Sequence, residues 1–158
     1  MPAMAASDEL DLATLDFGKV EPAQFARIVK ELPGRRLTEF MAGEHRRRVL
    51  DELFRRMATL VKPNAAVGRS VLVRWRITGA GYGTDTYETA IADGRCEVTG
   101  EATGRTPDLT LTMAAPELLK LASGNASGPT LFFTRKLKAQ GDLRLAGGLM
   151  HFFDIPRP

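Results

Sequence analysis

Side chains able to do covalent or acid–base chemistry are scarce in this chain, and none are spaced to act together. There are two histidines and one cysteine among 158 residues. His45 stands beside Arg46, Arg47 and Arg48, where an imidazole belongs on a solvated face. His151 lies between Met150 and Phe152 and could hydrogen-bond a ligand head group. Cys96 falls on the apolar face of a strand pattern and reads as a small core residue rather than a nucleophile. No paired cysteine and no His-x-x-x-His is present, so the common metal spacings are excluded. Gly79-x-Gly81-x-Gly83 follows a strand pattern, but no helix pattern opens after it; it reads as a hairpin turn, not a dinucleotide loop. No catalytic residue, metal or cofactor is therefore assigned, and the chain reads as a non-enzyme. An enzymatic role would have to run through His151.

The charged residues point to surface chemistry instead. Lysine and arginine number 22 against 19 aspartates and glutamates, a net charge of +3 and a pI near 9.3. Arg46, Arg47, Arg48, Arg55 and Arg56 crowd one helical pattern, with Asp51 and Glu52 among them. Interleaved signs predict a solvated face with internal pairs. A transient contact with an anionic membrane is the second reading of these five arginines, and nucleic acid is not expected as a partner.

What remains is a large apolar inventory, and its periodicity defines the elements. A loose acidic tail over 1–16 precedes a helix over 21–32, where Phe25, Ile28, Val29 and Leu32 recur at helical spacing before Pro33-Gly34. A short helix over Leu37–Ala42 follows. The strongest helical stripe, Val49, Leu50, Leu53, Phe54, Met57, Leu60 and Val61, predicts a helix over Glu44–Val61. The period then changes to two. Val71, Val73, Trp75 and Ile77 alternate with Leu72, Arg74 and Arg76; Tyr87, Thr89 and Ile91 form a second strand; Asp93-Gly94 is a hairpin signal leading to Cys96 and Val98. Leu109, Leu111 and Met113 mark a fourth strand. Pro116 opens a helix bearing Leu118, Leu119, Leu121 and Ala122, which Gly124 stops.

The stretch Leu131–Phe153 organises the rest. Leu131-Phe132-Phe133 is an apolar turn. Leu137 and Ala139 alternate with Lys136, Lys138 and Gln140 in a short half-buried strand that Gly141 breaks. Asp142 is placed to cap a following helix whose apolar stripe is Leu145, Ala146, Leu149, Phe152 and Phe153. Gly147-Gly148 sits inside that stripe at a cost of about 1 kcal/mol per glycine relative to alanine. Two explanations compete: glycines that open a cavity beside the helix, or glycines that let it pack closely on the sheet.

The order helices, four strands, helix, turn, strand, helix predicts an α+β fold: a five-stranded, largely antiparallel sheet covered on one face by helices, with an extra N-terminal helix. The inner sheet face comprises Val71, Val73, Trp75, Ile77, Tyr87, Ile91, Leu109, Leu111 and Leu137. The run Lys136-Leu137-Lys138-Ala139-Gln140-Gly141-Asp142-Leu143, after Leu131-Phe132-Phe133 and before Leu145-Ala146, resembles the C-terminal motif of the sterol carrier protein type-2 family. It departs once: Arg135 stands where the family usually has glycine. The resemblance spans roughly 44–153, and the extra helix resembles the actinobacterial form. It divides the chain into a tail (1–16), a helical extension (17–43) and a sterol-carrier-like domain (44–158).

That resemblance implies a tunnel within the core for an apolar ligand such as a sterol, fatty acid or fatty acyl thioester. The wall residues it suggests are Trp75, Leu119, Phe132, Phe133, Leu145, Leu149, Met150, Phe152 and Phe153. The function it implies is binding and intracellular transfer of a lipid without bond-making. The alternative is an interaction module of the same fold with a filled cavity, docking through Phe152-Phe153-Asp154-Ile155. No apolar run approaches the ~20 residues of a membrane span. The first residues lack a basic and an apolar signal region, and Pro156-Arg157-Pro158 is no peroxisomal address, so a cytoplasmic location is expected.

Overall fold

Period-two alternation from Val71 to Ile77 builds the strand at the centre of the sheet, and the other elements are laid against it. The computed structural model describes residues 22–80 and 83–154. The expected tail, the first residues of the helical extension, the tip of the glycine hairpin and Ile155 lie outside the described residues.

In chain order the elements are α1 (Pro22–Glu31), α2 (Gly34–Met41), α3 (Arg46–Thr59), β1 (Ser70–Ala80), β2 (Gly83–Ala92), β3 (Arg95–Thr99), β4 (Leu109–Ala114), α4 (Ala115–Ala122), α5 (Gly128–Phe133), β5 (Leu137–Gly141) and α6 (Leu143–Gly148), followed by a single 3-10 turn, Leu149–Phe152. The five strands run in the order β3-β2-β1-β4-β5, and every neighbouring pair is antiparallel except β1 with β4. The α+β expectation holds, including the largely antiparallel sheet.

The register puts the large residues in one layer. Trp75 faces Tyr87, Val73 faces Thr89 and Val71 faces Ile91 across β1–β2, while Trp75 faces Leu111 across β1–β4. All nine expected inner-face residues are buried, and Met113 joins them. Trp75 donates its indole N–H to Thr89 Oγ1 at 3.0 Å, so its one polar atom is satisfied in the core. The stripe of α3 packs over this layer: the Phe54 ring stacks on Tyr87 at 4.2 Å and meets Trp75 edge-on at 5.6 Å. Phe25, Val29, Leu37 and Met41 of α1 and α2 belong to the same buried cluster, so the helical extension shares the core.

Local chemistry sets the turns. Asp93 and Gly94 both take positive φ, 47° and 76°, the pattern of a two-residue hairpin turn. A Cβ on Gly94 would stand 2.3 Å from the Pro63 carbonyl oxygen, so only glycine fits. Asp142 caps α6 as expected, accepting from the N–H groups of Arg144 and Leu145, both at 3.1 Å.

Several expectations change at element ends. Pro33-Gly34 does separate two helices, but Gly34 is already the first residue of α2, three residues before the expected start. α3 is shorter than Glu44–Val61 because Val61 leaves the helix to bridge Phe153. The expected apolar turn at Leu131–Phe133 is the end of a helix: Ser127 caps α5 with its Oγ accepting from Thr130 N–H, and Pro129 sits in the first turn, where its missing N–H costs nothing. The last helix does not run through to Phe153. It stops at Gly148, and the chain tightens into the 3-10 turn.

The bend at Arg135 is kept despite the missing glycine. Arg135 adopts φ 63°, the left-handed region that glycine occupies without strain. Its N–H donates to Phe132 O at 3.1 Å, and the Lys136 N–H donates to Leu131 O at 2.8 Å, closing α5. Arg135→Gly is expected to raise stability by about 0.5–1 kcal/mol, relief of Cβ strain exceeding the entropy gained by the unfolded chain. A urea midpoint unchanged or lowered by the substitution would contradict this.

Candidate functional site

α5 and α6 stand either side of a groove floored by β5 at one end and by α4 and the 3-10 turn at the other. The groove has two chambers. An apolar one of about 260 Å³ is walled by Phe132, Phe133, Leu137, Ala139 and Leu143. A second of about 470 Å³ has apolar walls at Leu121, Met150 and Phe153 but ends on Lys62, Ser127, His151 and Asp154. Gly128, Pro129, Ala146 and Gly147 line both, so the chambers meet between the two helices. The polar end is fixed by backbone bonds that tie the chain after the 3-10 turn to the end of α3: Lys62 N–H to Phe152 O and Asp154 N–H to Leu60 O, both 2.7 Å.

Small residues make the junction. A Cβ built on Gly128, Gly147 or Gly148 meets nothing within 4 Å. Close packing of the glycines on the sheet is therefore overturned: Gly147 is exposed and faces open space. Gly147 is helical and lies between the chambers, so the missing side chain is part of the groove.

The expected wall residues separate into three groups. Phe132 and Phe133 line the apolar chamber, but from its rim: they are 48% and 81% exposed rather than part of a covering layer. Met150 and Phe153 line the second chamber. Trp75, Leu119, Leu145 and Leu149 are buried in the core and line neither chamber, and half-buried Phe152 lies under the Arg69 guanidinium at 5.6 Å from its ring centroid. Lining residues that sequence reasoning did not name as wall include Gly128, Pro129, Leu143, Ala146 and Lys62. Ala146 lay in the expected apolar stripe, and the glycine pair marked the space beside it.

The sequence over residues 50–154 matches the SCP-2 sterol transfer family, which is two-thirds of the chain. The chain belongs to that family. α1 and α2 lie ahead of the matched segment. Among solved structures, palmitated SCP2L2 from Aedes aegypti, determined by NMR in solution, is 17% identical over 67% of this chain and 95% of its own, with a TM-score of 0.52. The crystal structure of SCP2-L2 from the same organism gives 18% identity, 66% and 96% coverage and a TM-score of 0.51. The stereoselective inverting sec-alkylsulfatase Pisa1 from Pseudomonas sp. gives 19% identity and a TM-score of 0.58 over 66% of this chain, which spans only 16% of the sulfatase. At these identities the likeness shows the SCP-2 fold alone. No curated protein matches the sequence.

The arginine face of this SCP-2 chain has the internal pairs its spacing suggests, Arg47 with Asp51 and Arg55 with Glu52, but Arg46 departs from it by turning inward. Arg46 is 3% exposed. Its Nε donates to Asp85 Oδ2 at 2.8 Å, Nη2 to Ile77 O at 2.7 Å and Nη1 to Met41 O at 3.2 Å. Arg47 reaches Asp85 Oδ1 at 3.1 Å and Gly100 O at 2.8 Å, and its guanidinium lies 4.7 Å from the centroid of the Tyr87 ring. Arg55 pairs with Glu52 at 2.6 Å. Membrane contact through Arg46 is thus ruled out by burial, and Arg47 and Arg55 are engaged in the protein's own pairs. The polar cluster behind them holds α3 to β2: Tyr87 donates its hydroxyl to Asp51, and burial followed by that bond raises the Tyr87 pKa, keeping the phenol neutral.

Two further groups are shifted by burial and their neighbours. Glu88 is buried on β2 against Arg74 Nε at 2.9 Å. Burial alone would raise its pKa, but donation from Thr103 and Arg74 wins and holds it below the usual carboxylate range. Burial, with Glu97 beside it, pushes the Cys96 thiol up to about 11, the opposite of what a nucleophile needs. His45 stacks on Phe40 at 5.6 Å and is half-buried rather than solvated. Among the described residues no cluster of His, Cys, Asp and Glu could hold a metal ion, and no helix is long and apolar enough to cross a membrane.

Proposed function

We propose that this protein binds and carries a slender lipid, its chain lying in the groove between α5 and α6 without bond-making. The carrying observation is the open junction at Gly147, which joins an apolar chamber to one that ends on polar side chains. The chamber of about 260 Å³ alone falls short of the ~300–1,000 Å³ of small-molecule sites, but joined to the one of about 470 Å³ it lies within that scale. Each methylene taken from water contributes about 0.8 kcal/mol, so the site needs apolar walls and no catalytic group. Lys62 and His151 at the polar end suit the acceptor oxygens of a fatty acid or acyl thioester head group. The palmitated state of the Aedes aegypti relative supports an acyl chain as the cargo. A cytoplasmic carrier with no resident cofactor fits this reading.

The second reading, an interaction module with a filled cavity, draws support from the exposed Phe132 and Phe133. The empty space beside Gly128 and Gly147 favours the carrier. Native mass spectrometry of freshly purified protein, paired with organic extraction, tests the choice. A bound mass that extraction removes, and that is identified as a fatty acid or related amphiphile, is expected. An apo monomer that also refuses fluorescent fatty acids and sterols would overturn the carrier reading and favour the module.

A further inference from the structure

Four large apolar side chains are exposed among the described residues, and three of them, Phe132, Phe133 and Leu143 (60% exposed), stand on the rim of the apolar chamber. An isolated exposed apolar residue needs no explanation, but three on one rim form a patch. The segment that carries them, 128–146, also holds Arg135, Lys136, Lys138 and Arg144 against one carboxylate, Asp142. That carboxylate is occupied in capping α6. None of the four cations enters an ion pair among the described residues, whereas Arg46, Arg47 and Arg55 of α3 all do. Arg135 and Arg144 flank the aromatic pair and Leu143. Lys138 leaves β5, the edge strand, on the face opposite Leu137 and Ala139, and Lys136 stands in the bend just before it; both are exposed, with stems long enough to reach past the edge.

We propose that this rim is a docking surface for a bilayer containing anionic phospholipid. Apolar side chains that can enter the acyl boundary, with unpaired cations close to them in the chain that can meet head-group phosphates, match such a surface in both respects. A second copy of the chain is a poor occupant, because its rim carries the same positive charge. The location also has a consequence for transfer: the rim is the mouth of the apolar chamber, so a chain leaving the bilayer enters the groove without crossing water. The proposal rests on the carrier reading for that consequence, but docking itself is measured separately.

The test is flotation of the full chain with phosphatidylcholine vesicles and with mixed phosphatidylcholine–phosphatidylglycerol vesicles, alongside uptake of a monomeric fluorescent fatty acid without vesicles. Binding is expected to the mixed vesicles, weakening as salt rises. With about 1 kcal/mol per basic residue at an anionic surface, Lys136→Glu/Lys138→Glu is expected to weaken binding by about tenfold or more. Phe132→Ser/Phe133→Ser is expected to abolish flotation, and Arg56→Glu on α3 to leave it unchanged. Absence of flotation, equal binding to both vesicles, or a dimer lost in Phe132→Ser/Phe133→Ser without vesicle binding would overturn the docking proposal. Uptake that persists in that case leaves the carrier reading standing, and flotation without uptake supports docking while removing the carrier reading.

Discussion

Arg46→Ala is expected to destabilise the fold by about 3–5 kcal/mol, the range for removing one partner of a buried ion pair. The arginine is 3% and its partner Asp85 6% exposed, so truncation takes the nearest cation from a carboxylate held away from water. It also removes the donors to Met41 O and Ile77 O, which sit in the same buried region. Arg47 still reaches Asp85 Oδ1 at 3.1 Å and will hold the loss toward the lower end. For a domain of this size the melting temperature should fall by roughly 6–20 °C. Arg35→Ala is the control: its pair with Glu39 is exposed and 4.0 Å long, and its loss should stay within about 0.5 kcal/mol. Urea denaturation of both variants decides the matter. If Arg46→Ala behaves like Arg35→Ala, the buried network does not hold α3 to the sheet. In Arg46→Met/Asp85→Leu the buried carboxylate is gone, so part of the loss should return. Full recovery is not expected, because the two backbone carbonyls and Arg47 remain without that partner.

Arg46 also shows where reading the sequence runs out. A helical wheel counts cations and assigns them to solvent, because a lone charge costs too much to bury. What overrides that rule here is Asp85, 39 positions away on another element, and no local pattern announces such a pair. Features whose causes are local were legible. Alternation from Val71 to Ile77, the Asp93-Gly94 turn and the Asp142 cap depend on neighbours a few residues apart, and the structure has each of them. One short helix was not: α5 has six residues, too few for a period to emerge, and Ser127 with Pro129 was its only trace. The candidate site divides the same way. Of the apolar residues that the resemblance suggested as wall, Phe132, Phe133, Met150 and Phe153 border the chambers, but Trp75, Leu119, Leu145 and Leu149 are of the same type and lie in the core. Hydrophobicity says that a side chain avoids water. It does not say whether protein or cargo covers it. Lys62 reaches the groove only because the end of α3 is tied to the last described residues, a long-range contact.

Gly147→Leu is expected to close the groove while leaving the fold intact. The backbone there is helical and not in the left-handed region, and a Cβ would meet no atom within 4 Å, so the first side-chain carbon is accommodated without a clash. Its four side-chain carbons would occupy the junction of the two chambers, where the proposed acyl chain passes. Displacing about four methylenes at ~0.8 kcal/mol each removes about 3 kcal/mol of binding, roughly a hundredfold in affinity. Gly147→Ala separates size from backbone effects. It adds one methyl at the edge of the space and should raise stability by up to about 1 kcal/mol through helix propensity, with only a small change in uptake. Both variants should unfold at or above the wild-type urea midpoint, so lost uptake in Gly147→Leu cannot be attributed to unfolding. Fatty acid uptake by Gly147→Leu equal to wild type would mean that the cargo does not cross this junction, and that the two chambers do not serve one ligand. Loss of uptake confined to the larger side chain would tie binding to the space that a single absent side chain leaves open.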